Sequence, residues 1–126
     1  MALLRAISPY DVGQAVIVAD NYVVAVEAAE CTDAMLARVA ELRRSRRLHV
    51  PEGVGVLVKA SKLRQDRRID LPSIGPRTIE GVARAGLAGI AVAAGCAIVA
   101  EAERIAAVAD RAKVFVVGVP AEEPGQ

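Results

Sequence analysis

The densest chemistry in the chain lies in Lys59-Ala60-Ser61-Lys62-Leu63-Arg64-Gln65-Asp66-Arg67-Arg68-Ile69-Asp70. Its five cations suit phosphate oxygens, because arginine binds them through a planar fork and lysine as a point charge. Asp66 and Asp70 are oxygen donors of the kind Mg2+ takes, one or two carboxylates completed by water and substrate phosphates. Together they describe a phosphoryl or pyrophosphate site. A solvated loop whose aspartates pair with its arginines accounts for the same residues, and spacing alone does not separate the two readings.

Thr32 and Asp33 make a second candidate. At a helix start, backbone N–H groups and the helix dipole receive an anion, although plain capping explains the same pair. Glu27 and Glu30 stand just before this turn and can join a metal or act as a base; the simpler reading makes both surface carboxylates. His49 has no serine, cysteine or carboxylate in a recognisable catalytic arrangement beside it and reads as structural. Cys31 and Cys96 read as free thiols rather than a disulfide. The chain has no Walker loop, no GxGxxG, no CxxC pair and no HExxH, so those enzyme classes lose support.

The elements that must position these residues follow from periodicity. Val12 to Val18 and Tyr22 to Glu27 are β-branched runs joined through Ala19-Asp20-Asn21, a hairpin. Thr32 and Asp33 open a helix with Met35, Leu36, Val39, Ala40 and Leu42 at spacings of three and four. Arg43, Arg44, Arg46 and Arg47 crowd its end, where cations complement the dipole and most are expected to be solvated. Val54 to Val58 is a short apolar run, as in a central strand buried on both faces. Lys59 to Ser73 follows as a loop, at the place where open α/β sheets carry ligand loops.

Gly75-Pro76 opens a second helix with Ile79, Val82 and Ala83 as its buried stripe and Gly86 as its C-cap. Gly89 to Ala93 and Ala97 to Val99 read as strands joined through Ala94-Gly95-Cys96. A third helix runs from about Glu101 to Ala112 on Ile105, Val108, Ala109 and Ala112, and Val114 to Val119 closes the domain as a strand. The approximate order ββαβαββαβ predicts an α/β fold, a single layered domain around a mixed β-sheet.

Composition bounds the rest. With 126 residues the chain suffices for one packed domain, and 54% hydrophobic residues argue against disorder outside the ends. Sixteen basic residues against fifteen acidic leave +1, and Tyr10, Tyr22 and Phe115 are the whole aromatic set, which excludes a broad basic footprint and a base-stacking platform; no nucleic-acid partner is expected. The longest uncharged apolar stretch, Ala85 to Ala100, is too short and too glycine-rich for a membrane span. No signal peptide is visible, so a cytoplasmic location is expected. Residues 120–126 form a polar tail expected to be disordered. A core of small aliphatics buries little area per residue, which points to a subunit or domain partner.

Six collinear stretches, Asp11 to Ala15, Ala25 to Glu30, Thr32 to Leu36, Gly55 to Ala60, Gln65 to Pro76 and Ala85 to Val92, resemble the C-terminal domain of the LpxI-type UDP-2,3-diacylglucosamine pyrophosphatases. The resemblance spans about Asp11 to Val119 and marks residues 1–119 as that domain, with the family's N-terminal domain, of comparable size, absent from this chain. It implies a metal-dependent hydrolase of lipid A biosynthesis, using Mg2+ or Mn2+, that splits UDP-2,3-diacylglucosamine into UMP and 2,3-diacylglucosamine 1-phosphate by attack of water on the sugar-side phosphorus. The essential aspartate is then Asp66 or Asp70, which also hold the metal. Lys59, Lys62, Gln65, Arg67 and Arg68 bind the phosphates, and Thr32 and Asp33 hold a phosphate or the sugar. Peripheral contact with the inner membrane and a homodimer complete the expectation. Three positions depart from the family pattern: Cys31 stands where glycine is expected, Cys96 lies in a stretch usually rich in glycine, and Ser61 with Leu63-Arg64 replaces a proline-containing turn. The alternative to the enzyme is a non-catalytic nucleotide-sugar or lipid-phosphate binding or assembly module.

Overall fold

A computed structural model describes residues 2–7, 15–60, 73–93, 98–99 and 102–119. Val12 to Gln14 of the expected first strand, the loop residues 61–72, the Ala94-Gly95-Cys96 link and the tail 120–126 lie outside the described residues. A short helix α1 (Ala2–Ile7), not expected from the pattern, precedes the hairpin β1 (Ala15–Ala19) and β2 (Tyr22–Val26). Then come α2 (Thr32–Arg44), β3 (Val56–Lys59), β4 (Ser73–Ile74), α3 (Pro76–Arg84), β5 (Gly89–Ala93), β6 (Ile98–Val99), α4 (Ala102–Ala112) and β7 (Phe115–Val119).

The hairpin turns as its sequence requires. Asp20 and Asn21 both take the left-handed conformation, φ 52° and 61°, the tight turn whose twist matches that of the flanking strands. Five strands form a mixed sheet in the order β2-β1-β3-β5-β7. β1 is antiparallel to both its neighbours, whereas β3, β5 and β7 are mutually parallel. Four strands, β2, β3, β5 and β7, therefore run one way and end together. The expected strand at 54–58 is central, as read, but its burial alternates: Leu57 and Lys59 are buried, and Val56 and Val58 are half-buried. β5 and β6 part company, because β6 pairs with β4 in a separate two-stranded ribbon.

α3 packs on both α2 and α4, and all three contribute to one core with a single face of the sheet. Ile17, Leu57 and Ile90 stand opposite one another across β1, β3 and β5, all fully buried under Met35, Leu36 and Val39 of α2 and Ile79 and Val82 of α3. Each such aliphatic contributes roughly 1.5–3 kcal/mol by leaving water. In α4 the expected stripe holds, with Ile105 and Ala109 buried and Val108 and Ala112 packed at its margin. In α3 it is shifted: Ala83 is exposed, and Thr78, one turn before Val82, is buried instead. The residues facing the core from a short helix are set by its tilt over the sheet, which spacing alone leaves free by one position. Gly86 ends α3 at φ 73°, with Leu87 N–H donating to Val82 C=O across the turn.

Arg43 also departs from expectation. Its Nε donates to Ala85 C=O at 2.8 Å and its second nitrogen to Val50 C=O, so it ties the end of α2 to the end of α3 and to the loop before β3. Arg44, Arg46 and Arg47 are exposed, as read.

Cys31 precedes the first turn of α2 at φ 80° and ψ 162°, a backbone region that is essentially glycine's. Its side chain is exposed and caps nothing among the described residues. Such strain costs about 1–3 kcal/mol, and glycine's extra chain entropy returns about 0.5–1 kcal/mol of that. Cys31→Gly is therefore expected to stabilise the protein by roughly 1 kcal/mol in urea unfolding, whereas Cys31→Ala keeps the strain and gains nothing; equal midpoints for the two variants would contradict a strained backbone here.

Candidate functional site

Because β2, β3 and β5 end together, the residues that follow them converge. Lys59 is the last residue of β3, Glu27 follows β2 directly, and α2 begins five residues later at Thr32. The carboxyl end of parallel strands is where α/β sheets receive ligands. Register fixes the layout: Lys59 stands opposite Ala15 of β1, and Glu27 N–H donates to the same residue's carbonyl at 2.9 Å. Lys59 and Glu27 thus flank Ala15 in one row across the sheet. Both belong to the face covered by helices, two residues beyond the core residues Leu57 and Ala25.

Burial makes this row unusual. Lys59 is 7% exposed, Glu27 9% and Thr32 8%, so at this end of the sheet three polar side chains, one of them a lysine, are buried at the margin of a core of aliphatics. They satisfy one another in part: the Thr32 hydroxyl donates to a carboxylate oxygen of Glu27. Removal from water pushes the Lys59 ammonium below the ordinary lysine value of 10.5, and the electrostatic influence of Glu27, Asp33 and Cys31 opposes that shift. Desolvation is the larger effect.

The sequence-derived candidates separate accordingly. Lys59, Thr32 and Asp33 are brought to one end of the sheet. Asp33 is exposed in the first turn of α2, where its charge complements the dipole, and it lines the upper end of an open groove of about 620 Å³ between α2 and α3. Lys62, Gln65, Asp66, Arg67, Arg68 and Asp70 lie outside the described residues, in the segment that leaves from Ala60 at this same end. Glu27 and Glu30 were read alike as surface carboxylates. Glu30 is one, exposed and paired with Arg38 at 2.8 Å, but Glu27 is interior. The available signal was its parity with Ala25 along the strand, which puts both on the covered face. His49 is exposed in the loop before β3. Among the described residues no group of three or more His, Cys, Asp and Glu could hold a metal ion. Among the same residues no helix is long and apolar enough to cross a membrane.

Chemically the described part offers an ammonium held in low dielectric beside a helix N-terminus, an arrangement that attracts phosphate oxygens. The hydroxyl proton of Thr32 is committed to Glu27, so what Thr32 offers an anion is its backbone N–H.

The lowered Lys59 value has a consequence for stability. Across the interval between that value and 10.5 the unfolded chain binds more protons than the folded one, so stability rises with pH there. The difference in unfolding free energy, wild type minus Lys59→Met, is expected to grow as pH is raised through this interval in urea titrations. A difference independent of pH would show that Lys59 titrates normally.

Comparison with known proteins agrees with this architecture. The sequence model of the LpxI C-terminal domain family matches residues 1–117. The UDP-2,3-diacylglucosamine pyrophosphatase LpxI of Caulobacter vibrioides is 49% identical over 121 residues, which make up 95% of this chain and 43% of that relative. The chain thus spans less than half the length of the curated relative it matches. With the family model covering residues 1–117 and a relative 49% identical over 95% of this chain, the chain belongs to the LpxI C-terminal domain family.

Proposed function

We propose that the chain is the loop-bearing domain of a UDP-2,3-diacylglucosamine pyrophosphatase, acting in lipid A biosynthesis to yield UMP and 2,3-diacylglucosamine 1-phosphate. The observation that carries this reading is the buried Lys59 at the carboxyl ends of the strands, beside the start of α2 and at the root of the segment holding Asp66 and Asp70. The relative's printed activity supplies the substrate.

In this reading Lys59, Lys62, Arg67 and Arg68 neutralise the pyrophosphate oxygens and stabilise the charge that grows on them in the transition state. Backbone N–H groups of the first turn of α2 add to this, and Asp33 accepts hydroxyls of the sugar. Gln65 orients the phosphates. Water attacks the sugar-side phosphorus, the bond from that phosphorus to the bridging oxygen breaks, and the oxygen leaves with UMP. Asp66 or Asp70 takes the water's proton. The two carboxylates are hard oxygen donors that suit Mg2+ or Mn2+, and such a cation supplies further charge neutralisation on the phosphates.

The face of the sheet turned away from α2, α3 and α4 supports a homodimer, although Val16 and Ala93 on it are already buried. Val18, Val56, Val58 and Ala91 lie half-buried there, with Phe115 and Val117 44% and 45% exposed. The residues 1–119 act as the domain, and the location is cytoplasmic with peripheral access to the acylated substrate at the inner membrane.

Incubation of the purified chain with UDP-2,3-diacylglucosamine and Mg2+ or Mn2+ is expected to release UMP, and Asp66→Ala or Asp70→Ala to lower the rate by roughly 100-fold or more. Tight binding of lipid phosphate with no turnover would replace the enzyme by a binding module, and an active preparation indifferent to both substitutions would displace the site. In sedimentation the chain is expected at about twice its 13.2 kDa mass; a clean monomer contradicts the dimer.

A further inference from the structure

We infer that Glu27 is the positioning residue of the anion site, fixing Lys59 from β3 and the start of α2 through one carboxylate. The inference rests on the reading of the Lys59 end as a phosphate site, but not on the identity of the substrate.

Three observations carry it. First, Glu27 and Lys59 stand on either side of Ala15 in the same cross-strand row, about 10 Å apart at the backbone for two inter-strand steps. The methyl of Ala15 leaves the space above it to two long side chains, and Ala15 itself is fully buried beneath them and the helices. A larger residue at this position would separate the charges. Second, Glu27 is as buried as Lys59 and Thr32, so its charge acts through protein rather than water, where it is felt most strongly. Third, the Thr32 hydroxyl donates to Glu27, which clamps the first residue of α2 against the end of β2. The strained Cys31 just before it brings the chain into that position.

A carboxylate repels phosphate, so Glu27 is not itself a ligand of the anion. Its task is to keep an ammonium charged in a place where burial works against charge, and to aim the helix start at the same point. Among the described residues, the titratable groups that act on Lys59 include Glu27 after β2, and Cys31 and Asp33 at the start of α2. Of the carboxylates, Glu27 is buried and Asp33 is exposed. Glu27→Gln removes the charge and keeps an acceptor for Thr32, whereas Glu27→Asp keeps the charge and shortens the reach.

The test is binding of inorganic pyrophosphate to the full chain by calorimetry, at stepped pH, with thermal unfolding of each variant as a control. Glu27→Gln is expected to weaken binding about tenfold and to shift the pH at which binding is lost to lower values. Glu27→Asp is expected to keep the wild-type pH profile at reduced affinity, and it carries the test if Glu27→Gln fails to fold. Lys59→Met is expected to weaken binding and to abolish the effect of Glu27→Gln in the double variant, since the second acts through the first. Affinity of Glu27→Gln within twofold of wild type with an unchanged pH profile, purely additive losses in the double variant, or no pyrophosphate binding by wild type would each overturn the inference. A wild-type chain that shows this coupling yet hydrolyses no UDP-2,3-diacylglucosamine would end the pyrophosphatase reading and leave the role of Glu27 standing.

Discussion

Keeping a lysine inside a small aliphatic core is the constraint on which this structure turns. Taking an isolated ion out of water costs several kcal/mol even after relaxation, so Lys59 is tolerable only with an opposite charge at close quarters and little competing bulk. Glu27 supplies the charge and Ala15 the space between them. The requirement runs through the fold: β1 must lie between β2 and β3, and it must be antiparallel to both so that those two strands end side by side. The antiparallel hairpin at the front of an otherwise parallel sheet is what delivers Glu27 to Lys59.

Of the three long helices, α2 starts just after β2 of the main sheet, whereas α3 and α4 start just after β4 and β6 of the two-stranded ribbon. The far ends of α2 and α3 are tied by Arg43, which reaches two carbonyls from separate segments. The end tied by Arg43 leaves Arg44, Arg46 and Arg47 exposed, while the other collects the buried Lys59, Glu27 and Thr32, a strained backbone at Cys31 and the exit of the segment that follows Ala60.

Much of this was legible in the residues. Asp20 and Asn21 specified their turn because only that backbone twist joins adjacent strands through two residues. The stripe of α4 was readable, and that of α2 as far as Met35, Leu36 and Val39, with Ala40 and Leu42 only half-buried, whereas nine residues of α3 left a one-position ambiguity that put Ala83 outside and Thr78 inside. The family's ordered blocks were legible too, and with them the fold class.

By itself the sequence determined the alternation of strands and helices and the family, since both rest on residue type and local spacing. Only the tertiary structure decided that Glu27 is interior and Glu30 is not, that Arg43 is a clamp while Arg44 is solvated, and that β6 leaves the main sheet for β4. Those outcomes depend on which strand lies beside which and on what covers each face. Burial is a property of neighbours distant in the chain, and no local pattern encodes it.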